Sequence, residues 1–257
     1  MPASQVPEPG THDHPTTQDG APGYDVAVIG AGAAGLACTA ILRRAGLSCI
    51  LIEASGHIGG RAHTIRPDWL GGAPFDTGAT WLHQTDRNPL VALARAHGVA
   101  LVRAHQGPRR MFIGSRAADA HETADYEAAY AAWEQRVEQR AAGPDIALSE
   151  ASGPPGPWTA NIEHWEGAII AAADADTLGL HDWHRNLLDD NDLSPPDGVG
   201  TLLAQLVGPL AGPVRFDTAV EAIDWREPTG CRLRTSQGPV SARTVVVTVS
   251  TLSLIHI

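Results

Sequence analysis

Glycines at 30, 32 and 35 form the pattern Gly-x-Gly-x-x-Gly. In such a run the first glycine permits a tight turn. The second lets the backbone approach a pyrophosphate, and the third lets a helix pack against a strand. A helix starting there points free N–H groups, and roughly half a positive charge, at the anion. Ala33 and Ala34 lie in its first turn and join the candidate contacts. Glu53 stands 23 residues beyond Gly30, with Ala54 next to it. A carboxylate there accepts hydrogen bonds from both ribose hydroxyls and repels a 2′-phosphate, which disfavours NADP. Gly59-Gly60-Arg61 follows six residues later. Its turn offers more backbone N–H groups to the same diphosphate, and Arg61 adds a guanidinium fork.

Other chemistries are excluded or weak. All 18 basic residues are arginine. Without lysine there is no Walker-A phosphate loop, no Schiff-base amine and no Ser-x-x-Lys nucleophile. No Gly-x-Ser-x-Gly elbow is present. His181 and His184, with Asp182, could share a helix face, but no third spaced ligand accompanies them, so no metal is expected. His12 and His14 lie in a polar arm and read as solvated. Asp190-Asn191-Asp192 lacks the glycine and closing glutamate of a calcium loop. Against 18 basic residues stand 29 acidic ones, for a net charge of −11. Such a chain is a poor phosphate-backbone binder, and no nucleic-acid partner is expected. Cys38, Cys49 and Cys231 are scattered, which fits a reducing, cytoplasmic setting. No apolar run is long enough to span a bilayer.

The elements that must position these residues follow from hydrophobic pattern. Residues 25–29 form a short, nearly all-apolar run, the mark of a strand buried on both faces. Residues 33–45 predict a helix with Gly46 as its left-handed cap. Residues 48–53 predict a second buried strand. Strand, helix and strand make one βαβ unit and hence a parallel sheet, an α/β fold. Asn88-Pro89 predicts a capped helix start. Further helices are expected at about 119–140, 160–173 and 198–210, with a loop over 143–157. On the helix at 119–140, Glu127, Glu134, Glu138, Arg136 and Arg140 read as a solvated face. Strands are expected at 214–216, 220–225, 231–235 and 245–249, the last buried on both faces. Residues 1–23 read as a disordered tail.

The spaced set GAGAAGL, LIEAS and GGRAHT, followed by Phe75-Asp76-Thr77-Gly78-Ala79-Thr80-Trp81-Leu82-His83, resembles the FAD-dependent amine oxidase family, which includes monoamine, polyamine and L-amino-acid oxidases. That family's longer glycine pattern continues to a small residue and a further glycine. Here Thr39 and Gly46 hold those positions, and Thr39 is expected to loosen the helix packing slightly. The resemblance implies a Rossmann-like FAD-binding domain from residues 24–104 and 198–251. A mainly helical part of a substrate domain is inserted at 105–197, and the fold is incomplete at the C-terminus. It implies that Arg61 contacts the flavin side and that Gly78, Ala79, Thr80 and Trp81 pass along the isoalloxazine ring. There a bulky side chain at Gly78 or Ala79 would collide. It also implies that the Val220 backbone meets the adenine and that a small-molecule amine is the substrate. The implied reaction passes the amine's α-hydrogen as hydride to flavin and then electrons to oxygen, giving imine or aldehyde and hydrogen peroxide. The alternative is a carotenoid desaturase or protoporphyrinogen-type oxidoreductase, or an inactive fragment. The lysine linked to the flavin in many relatives has no counterpart, and no catalytic residue is assigned. His83 reads as a structural histidine. Residues 252–257 do not continue the family pattern and are expected to be non-native, on a chain that is the N-terminal portion of a longer protein.

Overall fold

A computed structural model describes residues 23–104, 110–187, 191–226 and 230–250. The expected tail at 1–23, apart from Gly23, and the expected non-native end at 252–257 lie outside the described residues, as do His12, His14 and Asp190. The chain divides into two compact units. One is formed by the chain up to Ala104 and from Asp192 onward, the other by His105–Asn191.

The first unit is built on a six-stranded sheet. β1 (Tyr24–Ile29) leads through α1 (Ala33–Arg44) to β2 (Cys49–Ile52). The strand order is Val220–Asp224, Cys231–Thr235, Val240–Val247, β1, β2, Val214–Arg215. The pairings of β1 with Val240–Val247, β1 with β2, and β2 with Val214–Arg215 are parallel. The other two pairings are antiparallel. The parallel sheet inferred from the βαβ unit is therefore its centre and one edge, and an antiparallel meander extends the other side.

Alternation explains why β1 is buried from Val26 to Ile29. Val26 and Val28, with Cys49 and Leu51 of β2, pack against Leu36 of α1 and against Leu202, Leu203 and Val207 of the helix Val199–Leu206 and its end. Ala27 and Ile29, with Ile50 and Ile52, face the opposite cluster with Leu233, Val240 and Ala242. Successive side chains point to opposite faces, and both faces are covered. Burial holds the Cys49 thiol above its ordinary range. Gly46, at φ 84°, sits just past the end of α1. Thr39 is fully buried and donates its hydroxyl to the Gly35 carbonyl at 2.8 Å. It fits the packing rather than loosening it.

The strand expected at 245–249 begins earlier, as Val240–Val247, and is not buried on both faces. Val245 and Val246 are half-buried and Val247 is exposed. A run of valines marks a strand but does not say whether a second layer covers it. The helix expected at 198–210 is two pieces, Val199–Leu206 and Gly208–Ala211.

The helical unit is organised by Ala120–Ala141, capped reciprocally by Asp119 and Glu122. Trp133 and Val137 bury their side chains with Leu148, Ile162, Leu180 and Trp183. The stretch 143–157 is not wholly a loop, because Leu148–Ala151 forms a helical turn that buries Leu148 and Ala151. Arg136 and Arg140 are not merely solvated. They donate to the Ser152 and Glu150 carbonyls at 3.0 and 2.9 Å, while Glu127, Glu134 and Glu138 are exposed. The helix expected at 160–173 is Thr159–His164 followed by a π-helical segment, Trp165–Ala171. The wider turn puts Glu166 inside, accepting from the Tyr130 hydroxyl and from the Trp183 indole at 3.1 Å. Burial, then the Glu166 carboxylate, pushes the Tyr130 phenol far above its ordinary range.

Candidate functional site: a strip of glycine backbone

The three glycines of the first motif have three different reasons. Gly30 leaves β1 at φ 98°, in the left-handed region. A Cβ on Gly35 would lie 1.8 Å from the Gly30 carbonyl oxygen, so only glycine lets α1 approach the strand. Gly32 is extended, at φ −72° and ψ −179°, and a Cβ there would meet only the Gly59 carbonyl oxygen, at 3.9 Å. Among the described residues nothing requires glycine at 32, and the space beside it is open. Gly32 is also the N-cap of α1, without a side-chain cap and with no acidic residue in the first turn. Ala33 and Ala34 are exposed there. The early N–H groups of a helix have no partner within it, so this turn is electropositive.

The second motif docks on the first. The Gly59 amide donates to the Ala31 carbonyl at 2.8 Å, and Gly32 and Gly59 form a parallel bridge. Gly59 and Gly60 both have positive φ, 106° and 57°. Arg61 is exposed, and its guanidinium makes no hydrogen bond or ion pair among the described residues. The third segment docks on the second: the Ala79 amide donates to the Arg61 carbonyl at 2.9 Å. A Cβ on Gly78 would lie 1.9 Å from that same oxygen. Glycine at 78 is thus explained by contact with Arg61, without the ring that the resemblance suggested. Thr80 and Trp81 are exposed, Trp81 by 42%, with its ring edge-on to His83 at 6.0 Å. The ring of His83 is held by Asp192, Nδ1 to Oδ1 at 2.7 Å.

Glu53 faces the first turn. Its Oε2 accepts from the Ala31 amide at 2.8 Å. Oε1 accepts from the Ser55 amide and hydroxyl at 2.9 and 2.8 Å. Ala54, between them, is exposed. The Thr218 amide donates to the Glu53 carbonyl at 2.9 Å, which brings the start of Val220–Asp224 alongside. Val220 is half-buried, pairs with Thr235, and borders a bulge.

Sequence reasoning missed the residues that brace this strip. Thr248 donates its hydroxyl to the Ile29 and Gly30 carbonyls at 2.8 and 3.0 Å. Its only sequence signal is a polar residue closing a valine run. Asp76 accepts from Thr64 and from the Val199 amide, which ties Val199–Leu206 to the strip's edge. Hollows on the antiparallel edge, lined by Ala222, Ile223 and Trp225, share no residue with the strip. The ring of His181 lies 2.9 Å from the Gly143 carbonyl. Among the described residues no three His, Cys, Asp or Glu side chains stand close enough to hold a metal, and no helix is long and apolar enough to cross a membrane.

Open space at Gly32, uncapped amides, an unpaired guanidinium and a placed carboxylate together suit an anionic diphosphate that carries a diol.

Comparison with known proteins agrees with this chemistry. Residues 28–96 match the NAD(P)-binding Rossmann-like domain, and residues 152–251 match the flavin containing amine oxidoreductase family. Polyamine oxidase 3 of Oryza sativa subsp. japonica is 43% identical over 77 residues, which is 30% of this chain and 15% of that protein. Cyclohexylamine oxidase from Brevibacterium oxydans IH-35A superposes with a TM-score of 0.65 at 19% identity, over 91% of this chain and 59% of that one. A fatty acid isomerase from P. acnes superposes with a TM-score of 0.68 at 18% identity, over 91% and 60%. At these identities the solved structures share the fold, and the chain spans about 60% of their length. The flavin containing amine oxidoreductase model thus matches 152–251 alone, and together with the Rossmann-like match at 28–96 it points to FAD as the cofactor.

Proposed function

We propose that this chain is the cofactor-gripping part of a flavoenzyme that oxidises a small-molecule amine. The observation that supports this is the docking of the glycine motifs on one another through Ala31, Gly59, Arg61 and Ala79. In this reading the amides of Gly32, Ala33 and Ala34, in the turn that Gly30 and Gly35 permit, bind the diphosphate. Glu53, with Ala54 beside it, orients the ribose hydroxyls. The backbone of Gly59 and Gly60 and the side chain of Arg61 add donors on the flavin side. Gly78, Ala79, Thr80 and Trp81 border the flavin ring, and backbone groups of Val220 meet the adenine.

When bound, FAD would supply a two-electron oxidising centre: an amine's α-hydrogen would leave as hydride, oxygen would take up the electrons as hydrogen peroxide, and water would hydrolyse the imine to an aldehyde with release of ammonia or an amine. The chain's own residues bind and orient; none is assigned as acid, base or nucleophile. Residues 24–104 and 198–251 supply the FAD-binding segments, residues 105–197 part of the substrate domain, and the protein works in the cytoplasm.

The test is spectroscopic. The purified chain, mixed with FAD and gel-filtered, is expected to emerge yellow, to bleach under an alkyl amine without air, and to recover in air. A colourless chain overturns the reading. Bleaching by a polyene or a porphyrinogen alone replaces it with the desaturase-like one. Retained FAD that no amine bleaches confines it to cofactor binding.

A further inference from the structure

One peptide unit in the glycine turn is held at both ends. The Gly30 carbonyl oxygen accepts from the Thr248 hydroxyl at 3.0 Å. The N–H of the same peptide, on Ala31, donates to Glu53 Oε2 at 2.8 Å. A peptide is planar, so fixing its oxygen and its N–H fixes the rotation of the whole unit. Gly30 alone would not do this, because glycine at φ 98° has wide conformational freedom. The two clamps come from distant parts of the chain, one at the end of β2 and one after the strand Val240–Val247.

The hydroxyl is not needed for packing or to satisfy the strand. The Thr248 amide already donates to the Ile29 carbonyl at 2.9 Å. The hydroxyl is shared between that carbonyl and Gly30. It lies 3.1 Å from where a Cβ on Gly30 would stand and 2.8 Å from where one on Gly35 would stand. It therefore occupies the angle between the turn and the start of α1, where its remaining role is to direct the Gly30 carbonyl.

We propose that Thr248 is a positioning residue for cofactor binding: it sets the Gly30–Ala31 peptide plane, and through Ala31 the placement of the Glu53 carboxylate and of the amides that follow. This rests on the reading that the strip binds FAD. A lost neutral hydrogen bond corresponds to a few-fold to roughly tenfold change in affinity. Thr248→Val, which keeps the shape and removes the hydroxyl, is expected to raise the FAD dissociation constant about 3- to 10-fold. ADP, which carries the ribose and diphosphate without the flavin, should weaken alike. Thr248→Ser is expected to bind as the wild type does, and the cofactor-free chains should melt together.

Fluorescence titration and thermal melting of the 257-residue chain read these outcomes. A wild-type chain that binds no FAD overturns the proposed function and this inference with it. A wild type that binds, with Thr248→Val binding equally well, overturns the role of Thr248 alone. So does Thr248→Ser binding as weakly as Thr248→Val, which would show that a hydroxyl at this position does not by itself secure binding. Should Thr248→Val not fold, Thr248→Ala replaces it beside Thr248→Ser, and equal binding by those two is the overturning result.

Discussion

Glu53 Oε2 lies 2.8 Å from the Ala31 amide nitrogen, so the carboxylate at the end of β2 is hydrogen-bonded to the turn that follows β1. Ser55 holds the other oxygen through two donors. Ala31 and Ser55 thus hold the carboxylate in place. Removing it as Glu53→Ala is expected to weaken FAD binding by about 1.5–3 kcal/mol, roughly 10- to 150-fold, the range for hydrogen bonds to a charged group. Fluorescence titration checks this, and an unchanged dissociation constant would place the ribose elsewhere.

Gly32 and Gly35 separate binding from folding. Gly32 has an extended backbone that any residue adopts, with open space around a new Cβ. Gly32→Val should therefore fold with a melting temperature near that of the wild type. It should lose cofactor at least ~10-fold, because one or more amide–phosphate bonds worth about 1.5–3 kcal/mol each go out of reach. Gly35→Ala places a methyl 1.8 Å from the Gly30 carbonyl oxygen. It should cost about 3 kcal/mol of stability or more, since the obstacle is backbone and not a movable side chain. Melting curves and FAD stoichiometry on the same samples decide. Equal cofactor loss with equal destabilisation in both variants would contradict the distinction.

Gly78 behaves like Gly35. A side chain there meets the Arg61 carbonyl oxygen at 1.9 Å, the same oxygen that accepts the Ala79 amide. Gly78→Ala is expected to detach the segment from Gly59-Gly60-Arg61 and to speed amide exchange at Ala79, even without cofactor. Protection at Ala79 equal to that of the wild type would refute this.

The parts of the site that could be read in the sequence are those whose cause is local. The β1–α1–β2 unit follows from two apolar runs and a glycine-rich turn between them, all within about thirty residues. The reason for Gly78 was not legible, because its obstacle is the carbonyl of Arg61, seventeen residues earlier, and only folding brings the two together. The same holds for Thr248, which touches Gly30 because Val240–Val247 pairs with β1 across most of the chain's length. The antiparallel meander and the exposure of Val247 depend on which strands find each other, and a valine run does not encode its partner. The π-helical turn at Trp165–Ala171 answers to the buried Glu166, whose partners Tyr130 and Trp183 lie in other helices.

Acid should loosen the start of the helix Ala120–Ala141 first. Glu122 is gripped by the Arg116 guanidinium at 2.6 and 2.8 Å and accepts from the Asp119 amide at 3.0 Å. These bonds, the arginine's foremost, lower its carboxyl from 4.5 to about 2. A carboxyl whose value is lower folded than unfolded stabilises the fold above its unfolded value, and that contribution disappears as pH falls through the folded one. The window is therefore between about pH 4.5 and about pH 2. Across it, the protection of the Glu122 and Thr123 amides, taken relative to their intrinsic exchange rates at each pH, should fall as the capping box opens. In Glu122→Gln the grip of the arginine is weakened at every pH, so exchange should start faster and lose this dependence. A wild-type profile that stays flat from pH 4.5 to 2 would show that the Arg116–Glu122 pair does not secure the helix start.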